Sequence, residues 1–226
     1  MQKKTFYTEL AYVFGIIALA LGVALMEAPN FGVSMIVAPA YLMHLKLVEI
    51  WPFFSFGMAE YTLQLVLVII VCIVLRKAKL SFLFSFVTAV IYGFILDGFM
   101  LLMAYVPMAN MAVKLVTYVA GMLICSLGVA PVFHTYIPPE AYELFVKELS
   151  NKYGIRIDLF KTCFDITMML IGVVLSFSFF GMWHFEGVKL GTVICAFVNG
   201  WTIGRISSFL EAKFEFKDRL PLRKYF

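Results

Sequence analysis

The sequence predicts an all-α polytopic membrane helix bundle of about six transmembrane helices, built as two inverted three-helix repeats, and three observations carry that reading. First, 63% of the residues are hydrophobic and 14% charged, with a mean hydropathy of +0.95; soluble domains run at about 45–50% apolar and about 25% charged. A water-soluble fold of this length cannot cover so much apolar surface. Second, uncharged apolar runs of span length recur along the chain. A helix needs about 20 mostly apolar residues to cross roughly 30 Å of hydrocarbon, so the 226 residues form one integral membrane domain with no room for a separate soluble one. Third, a glycine motif near the start of the chain returns near its middle.

Apolar runs place helices near 7–27, 60–76, 80–103, 113–134, 160–182 and 189–210. Lys3 and Lys4 ahead of Ala18-Leu19-Ala20 mimic a cleavable leader, but that run belongs to the repeated motif, which argues against its removal. The apolar stretch 28–56 is interrupted by Pro29, Gly32, Pro39, His44, Lys46, Glu49 and Pro52, and reads as a re-entrant or short broken helix rather than a seventh crossing. Charge supports this. With six spans and the N-terminus inside, Lys3, Lys4, Arg76, Lys77, Lys79, Lys147, Lys152, Arg156, Lys161 and the tail cations Arg205, Lys213, Lys217, Arg219, Arg223 and Lys224 collect on the cytoplasmic side. Lys46, Lys114 and Lys189 fall outside. A seventh span would destroy that asymmetry. The expectation is a multi-pass protein of the bacterial plasma (inner) membrane with both termini cytoplasmic and a basic tail over 211–226.

The stretch 138–154 differs in character. Ala141, Leu144, Phe145 and Leu149 recur at helical spacing among charges, Pro138 and Pro139 suit a first turn, Glu140 and Glu143 suit the N-terminal end of the dipole, and Gly154 suits a left-handed cap. This reads as an amphipathic helix lying on the inner membrane face or against the bundle.

The motif Gly15-Ile-Ile-Ala-Leu-Ala-Leu-Gly22-Val-Ala24 returns as Gly121-Met-Leu-Ile-Cys-Ser-Leu-Gly128-Val-Ala130. The order of segments after the motif also recurs: a proline-broken segment, a span opening with polar residues (Glu60 and Gln64, then Lys161 and Asp165), and a span with a central glycine (Gly93, then Gly200). The repeats cover about 7–103 and 113–210, and three spans in each unit invert the second relative to the first.

The same residues resemble the YczE/YyaS/YitT family of bacterial integral membrane proteins. The resemblance rests on Leu-Gly-Val-Ala followed by Ala28-Pro29-Asn30-Phe31-Gly32-Val33-Ser34, on Gly191-Thr192 with Gly200, and on Asp97 late in the third span. The chain departs from the pattern at Ser34-Met35 and at Ile137-Pro138-Pro139. The resemblance implies a bacterial plasma-membrane protein and speaks to fold more than to function.

Ionisable residues inside spans are expensive and therefore candidates for a substrate or ion pathway. Asp97 reads as a cation or proton site, or as a carboxylate at the outer interface. Lys161 and Asp165 stand one turn apart and pair on one helix face, as a coupling site or as a solvated ion pair at the membrane edge. Glu60 and Gln64 repeat that spacing. Glu27 ends the first helix before the break, and His134 matches it in the second repeat, each with an interfacial alternative. Arg205, near Asn199 on the last span, either neutralises a buried carboxylate or snorkels to headgroups.

Catalytic motifs such as GxSxG, HExxH, a P-loop or a strand-borne GxGxxG are missing, so an enzyme is not expected. Neither is a cofactor or metal: Cys72, Cys125, Cys163 and Cys195 read as packing residues. The expected partners are the lipid bilayer, a small solute or ion, and a second copy of the chain, with no nucleic acid, since the tail suits anionic lipid. The leading functional expectation is a small secondary transporter or permease; the rival is a non-transporting scaffold or partner of a membrane-associated biosynthetic or regulatory system.

Overall fold

A computed structural model describes residues 3–54, 56–77, 79–183, 185–221 and 223; Lys224 of the basic tail lies outside them. Six helices are long and apolar enough to cross a membrane: α1 (Thr8–Glu27), α3 (Phe56–Leu75), α4 (Leu80–Ala104), α5 (Met111–Phe133), α7 (Ile157–Phe180) and α8 (Leu190–Lys213). Between them sit two short helices, α2 (Ala38–Leu47) and α6 (Ala141–Tyr153). At 1.5 Å per residue, the 10 residues of α2 and the 13 of α6 are too short to cross. The expected all-α bundle with one interrupted segment after the first helix and one after the fourth is therefore the observed one.

The expected ends shift at three places. α3 and α7 begin earlier than the apolar runs imply, at Phe56 and Ile157, because the polar residues that open them are buried rather than interfacial. The tail is not simply a free basic segment. β2 (Phe214–Lys217) pairs in parallel with β1 (Lys4–Tyr7), and Glu9 accepts the backbone N–H groups of Arg219 and Leu220. This ladder fastens the two ends together at one end of the bundle, here termed the termini face.

The repeat explains the packing. α1 and α5 form the most extensive helix pair and cross through their glycines. A Cβ at Gly128 would stand 2.5 Å from Leu19 N and 2.7 Å from Gly15 O, and one at Gly121 would stand 2.8 Å from Gly22 O. Thus Gly15 meets Gly128 and Gly22 meets Gly121. Each motif touches the image of the other, as a two-fold relation between antiparallel copies requires. Small residues let the two backbones approach this closely in a setting where lipid gives helices no hydrophobic reason to associate. The outer helices repeat the exchange: α4 packs on α1 as α8 packs on α5, while α2 lies on α3 and α7 as α6 lies on α7 and α3. Even the central glycines correspond, Gly93 facing Tyr61 and Gly200 facing Thr162.

Exposed apolar side chains such as Val13, Ile73, Phe94, Leu101 and Val174 cover the outside of the spans, the surface a hydrocarbon environment solvates.

Candidate functional site

Irregular backbone at membrane depth persists only where its polar groups find partners inside the protein. Both breaks meet that demand, and in corresponding ways. After α1 the chain turns back: the Ser34 N–H donates to the Glu27 carboxylate, Val33 N–H to Gly187 O at 2.9 Å, and the Thr192 hydroxyl to Val33 O at 2.7 Å. Lys189 at the start of α8 reaches Asn30 Oδ1 at 2.8 Å. After α5 the hydroxyls of α4 do the same work. Thr88 donates to Pro138 O at 3.0 Å, Ser85 donates to Pro139 O, and Lys147 donates to Thr135 O at 2.8 Å.

Each short helix then starts inside the bundle and runs back to the face it came from. For α6 the two ends fix this: Ala141 N–H donates to Gln64 Oε1 at 3.3 Å near the middle of α3, and Lys152 donates to Val74 O near its end. Of the two placements expected for the amphipathic helix over 138–154, the structure shows the second. α6 packs against the bundle, with Tyr142, Glu143, Leu144 and Val146 all buried, rather than lying on the membrane face. The prolines precede the helix instead of forming its first turn; Glu140 is the N-cap, and Gly154 ends the helix with φ 64.

This insertion builds a buried polar cluster from four elements. Lys161 and Asp165, both fully buried, lie 2.9 Å apart on α7, and Glu143 Oε1 lies 3.5 Å from the same ammonium. Asn199 from α8 contacts Asp165 and accepts the Ser126 hydroxyl at 2.9 Å. On the other side, the Tyr142 hydroxyl donates to Glu60 Oε2 at 2.9 Å, and Gln64 bonds the same carboxylate. Glu140 completes the group beside Glu143. The cluster leads from Glu60, one turn into α3 from the face opposite the termini, to Lys161, one turn into α7 from the termini face.

Two small cavities lie along it. One, of about 20 Å³, is lined by Ser34 and Val37 after the first break and by Glu140, Tyr142 and Glu143 after the second, together with Asn199. The other, of about 30 Å³, lies between Glu60, Gln64 and Asp97. Tyr92 of α4 lines both, and each volume accommodates about one water.

Of the residues singled out from sequence, Glu60, Gln64, Lys161, Asp165 and Asn199 meet in this cluster. Lys161 therefore leaves the set of interfacial cations: it is 0% exposed, so Lys161 and Asp165 are not a solvated edge pair. Asp97 is exposed and sits at the mouth of the second cavity. Glu27 serves the first break. Arg205 is also exposed, over the Trp201 ring at 5.4 Å, in a groove of about 540 Å³ on the termini face, away from the buried cluster.

His134 is half-buried beneath the terminal ladder. Its Nε2 lies 2.6 Å from Ser207 Oγ, its ring stacks on Phe216, and burial holds its pKa below the usual histidine value. The groups that sequence reasoning misses are Glu140, Tyr142 and Glu143. A signal is present: Ala40-Tyr41 stands as far ahead of Glu60 as Ala141-Tyr142 stands ahead of Lys161, which ties α6 to the re-entrant α2.

Six long apolar helices and two inserted half-helices define a multi-pass helical membrane protein. Within that class the chain belongs to the family described as Family of unknown function (DUF6198), whose model matches residues 6–208. Comparison with curated proteins and with solved structures returns no match.

Proposed function

We propose that this protein is a small secondary transporter or permease for a small solute or ion, and not an enzyme, set in the bacterial inner membrane with both termini in the cytoplasm. One observation carries the reading: the tips of two inverted half-helices converge on a buried cavity lined by ionisable side chains. Inverted repeats with interrupted helices place substrate and ion sites there because two like halves can rock about a shared centre. The strongly uneven distribution of Lys and Arg between the two ends of the bundle supports the orientation. Of the glycines that resemble the YczE/YyaS/YitT pattern, Gly22 lies in the α1–α5 contact, Gly32 against Lys189 and Thr192, Gly191 against Phe31 and Gly200 against Thr162, so they support the architecture.

Purified protein in liposomes should move a small solute or ion, and Asp165→Asn should cut the flux at least tenfold while the protein still elutes as a single species. A broad screen of solutes and ions showing no flux would sink the proposal. A scaffold role has one observation in its favour: the groove at the termini face, lined by Arg156, Trp201, Arg205 and Glu211, is far larger than either interior cavity. Stable co-purification of another protein, abolished by Arg205→Glu, would favour that second reading.

A further inference from the structure

The buried cluster holds the carboxyl groups of Glu60, Glu140, Glu143 and Asp165 against Lys161, the only buried ammonium among the described residues. Four buried carboxylates beside one cation would cost far more than a membrane protein can absorb, because an unpaired charge at this depth costs at least a few kcal/mol. Some of these groups must carry protons, or a cation must sit among them. Among the described residues no three His, Cys, Asp or Glu side chains converge as ligands around one point, so the donor geometry favours protons.

The partners say where a proton resides. Asp165 has Lys161 at 2.9 Å and the Asn199 amide. Glu60 has the Tyr142 hydroxyl and Gln64. Glu140 and Glu143 have mainly each other: Glu140 Oε2 and both Glu143 oxygens are, like both Asp165 oxygens, buried without a well-formed hydrogen bond, but Asp165 keeps the closer ion pair, with Lys161 at 2.9 Å against 3.5 Å for Glu143. Two adjacent carboxyls in a dry site hold one proton between them because ionising both is unfavourable unless a counter-charge moves closer. The remaining negative charge lies at the N-terminal end of the α6 dipole, which favours it. Facing the pair are Tyr12 from α1, Glu60 from α3, Tyr92 from α4, Cys125 from α5, and Lys161 and Asp165 from α7.

We propose that Glu140 and Glu143 share a single proton at neutral pH and form the proton-binding site of this protein, reached in this conformation from the face opposite the termini by way of Asp97 and Glu60. Asp97 is exposed, the 30 Å³ cavity joins it to Glu60, and Tyr142 and Tyr92 stand between Glu60 and the pair. On release the proton passes to water in the cavity, the pair becomes dianionic, and the Lys161 ammonium is drawn from Asp165 toward Glu143. That movement would couple protonation to a shift of α7. Its use in coupling rests on the transporter reading; the shared proton does not.

Infrared spectroscopy of the full chain in nanodiscs tests this with no substrate. At pH 7 the wild type should show a carbonyl band of a protonated, buried carboxyl. That band should move to lower frequency with ¹³C-carboxyl glutamate and stay in place with labelled aspartate. It should vanish in both Glu140→Gln and Glu143→Gln, and its shift on transfer to D₂O should slow at least tenfold in Asp97→Asn. No band at pH 7 in the wild type, a band that follows the aspartate label, or one that survives both glutamine variants and disappears in Glu60→Gln would overturn the proposal. An unchanged exchange rate in Asp97→Asn would overturn the access route. The wild-type labelling result stands even if a variant fails to fold. A present band with no flux in liposomes would remove the transporter reading and leave the shared proton in place.

Discussion

The two halves of the bundle follow the same path through space and put different chemistry at its midpoint. In the first half the re-entrant tip is neutral: Val37 and Ala38 lead into α2, and Leu42 packs on Gly172 of α7. In the second half the corresponding tip carries Glu140, Tyr142 and Glu143, and Glu143 faces Lys161 of that same α7. Symmetry therefore accounts for the scaffold, namely the glycine crossing, the hydroxyl-held breaks and the placing of short helices. The polar cluster exists because the second copy departs from it.

The sharpest way to break this comparison is to remove the cation on which the asymmetric half depends. Lys161→Met leaves Asp165 and Glu143 buried with no counter-charge and should destabilise the protein by about 3–5 kcal/mol, read as a loss of folded protein in detergent thermal-unfolding curves. In the first half, Leu42→Met keeps volume and polarity and should cost under about 1.5 kcal/mol. Similar losses for the two would mean that the cluster is a solvated feature and not a buried one.

The symmetric scaffold is tested by Gly128→Val, whose Cβ meets the backbone of Leu19 and Gly15. Overpacking against backbone should cost about 3 kcal/mol, and Gly22→Val, whose Cβ meets the backbone of Cys125, should match it because Gly22 and Gly128 are images of each other. Gly98→Ala, with open space around the added atom, should leave the unfolding midpoint unchanged or raise it slightly, since alanine is the better helix former by about 1 kcal/mol. Unequal losses at Gly22 and Gly128 would count against a two-fold crossing.

These elements also show how far the sequence can be read. The spans follow from hydropathy, and the odd number of crossings per repeat follows from counting them, because burial in lipid demands long apolar runs that leave an unambiguous trace. The first re-entrant segment is legible from its prolines and from charge asymmetry. α6 is legible as a helix with its Gly154 cap, but its depth is not: a helix with Glu143, Lys147 and Lys152 has the pattern of a surface helix, and only the three-dimensional meeting with Lys161 turns Glu143 inward. Periodicity reports which residues share a face, and it does not report whether that face meets water or a buried ammonium. Lys161 and Asp165 are legible as a pair, but their depth depends on how far α7 extends past its apolar run. The terminal ladder leaves no signal at all, since each strand is four residues long and pairs with the far end of the chain.

A finer comparison sets the two hydroxyl anchors against each other. Thr192→Val removes the donor to Val33 O in the first break, and Thr88→Val removes the donor to Pro138 O in the second. Interhelical hydrogen bonds in membranes average about 0.6 kcal/mol, so each loss should be of that order. Thr192→Val should be the larger, because Ser85 still donates to the neighbouring Pro139 O in the second break. Paired thermal-unfolding measurements, with Ser85→Ala/Thr88→Val as the double variant, decide this: a double variant no worse than Thr88→Val alone would mean that Ser85 contributes nothing.

The smallest expected effect again falls on the second half alone, at the termini face. His134 lies under the β1–β2 ladder against Ser207 and Phe216, with Glu211 3.7 Å away and Lys147 nearby, and burial holds its pKa below that of the unfolded chain. A histidine depressed in this way is neutral in both states above the unfolded value of about 6.5, where its contribution to stability is complete. As the pH falls through that value toward the folded pKa, the unfolded chain takes up the proton first, and the contribution is lost. Amide hydrogen exchange in Lys4–Tyr7 and Phe214–Lys217, corrected for intrinsic rates, should therefore quicken between pH 7 and pH 5, while exchange at Val33 and Gly191 in the first break, away from the ladder, should not. His134→Gln, which cannot titrate, should flatten the pH dependence of the ladder; a ladder that loosens equally in that variant would assign the effect to Glu9 and Asp218, whose bonds to Arg219, Leu220 and Thr8 also hold the two ends of the chain together.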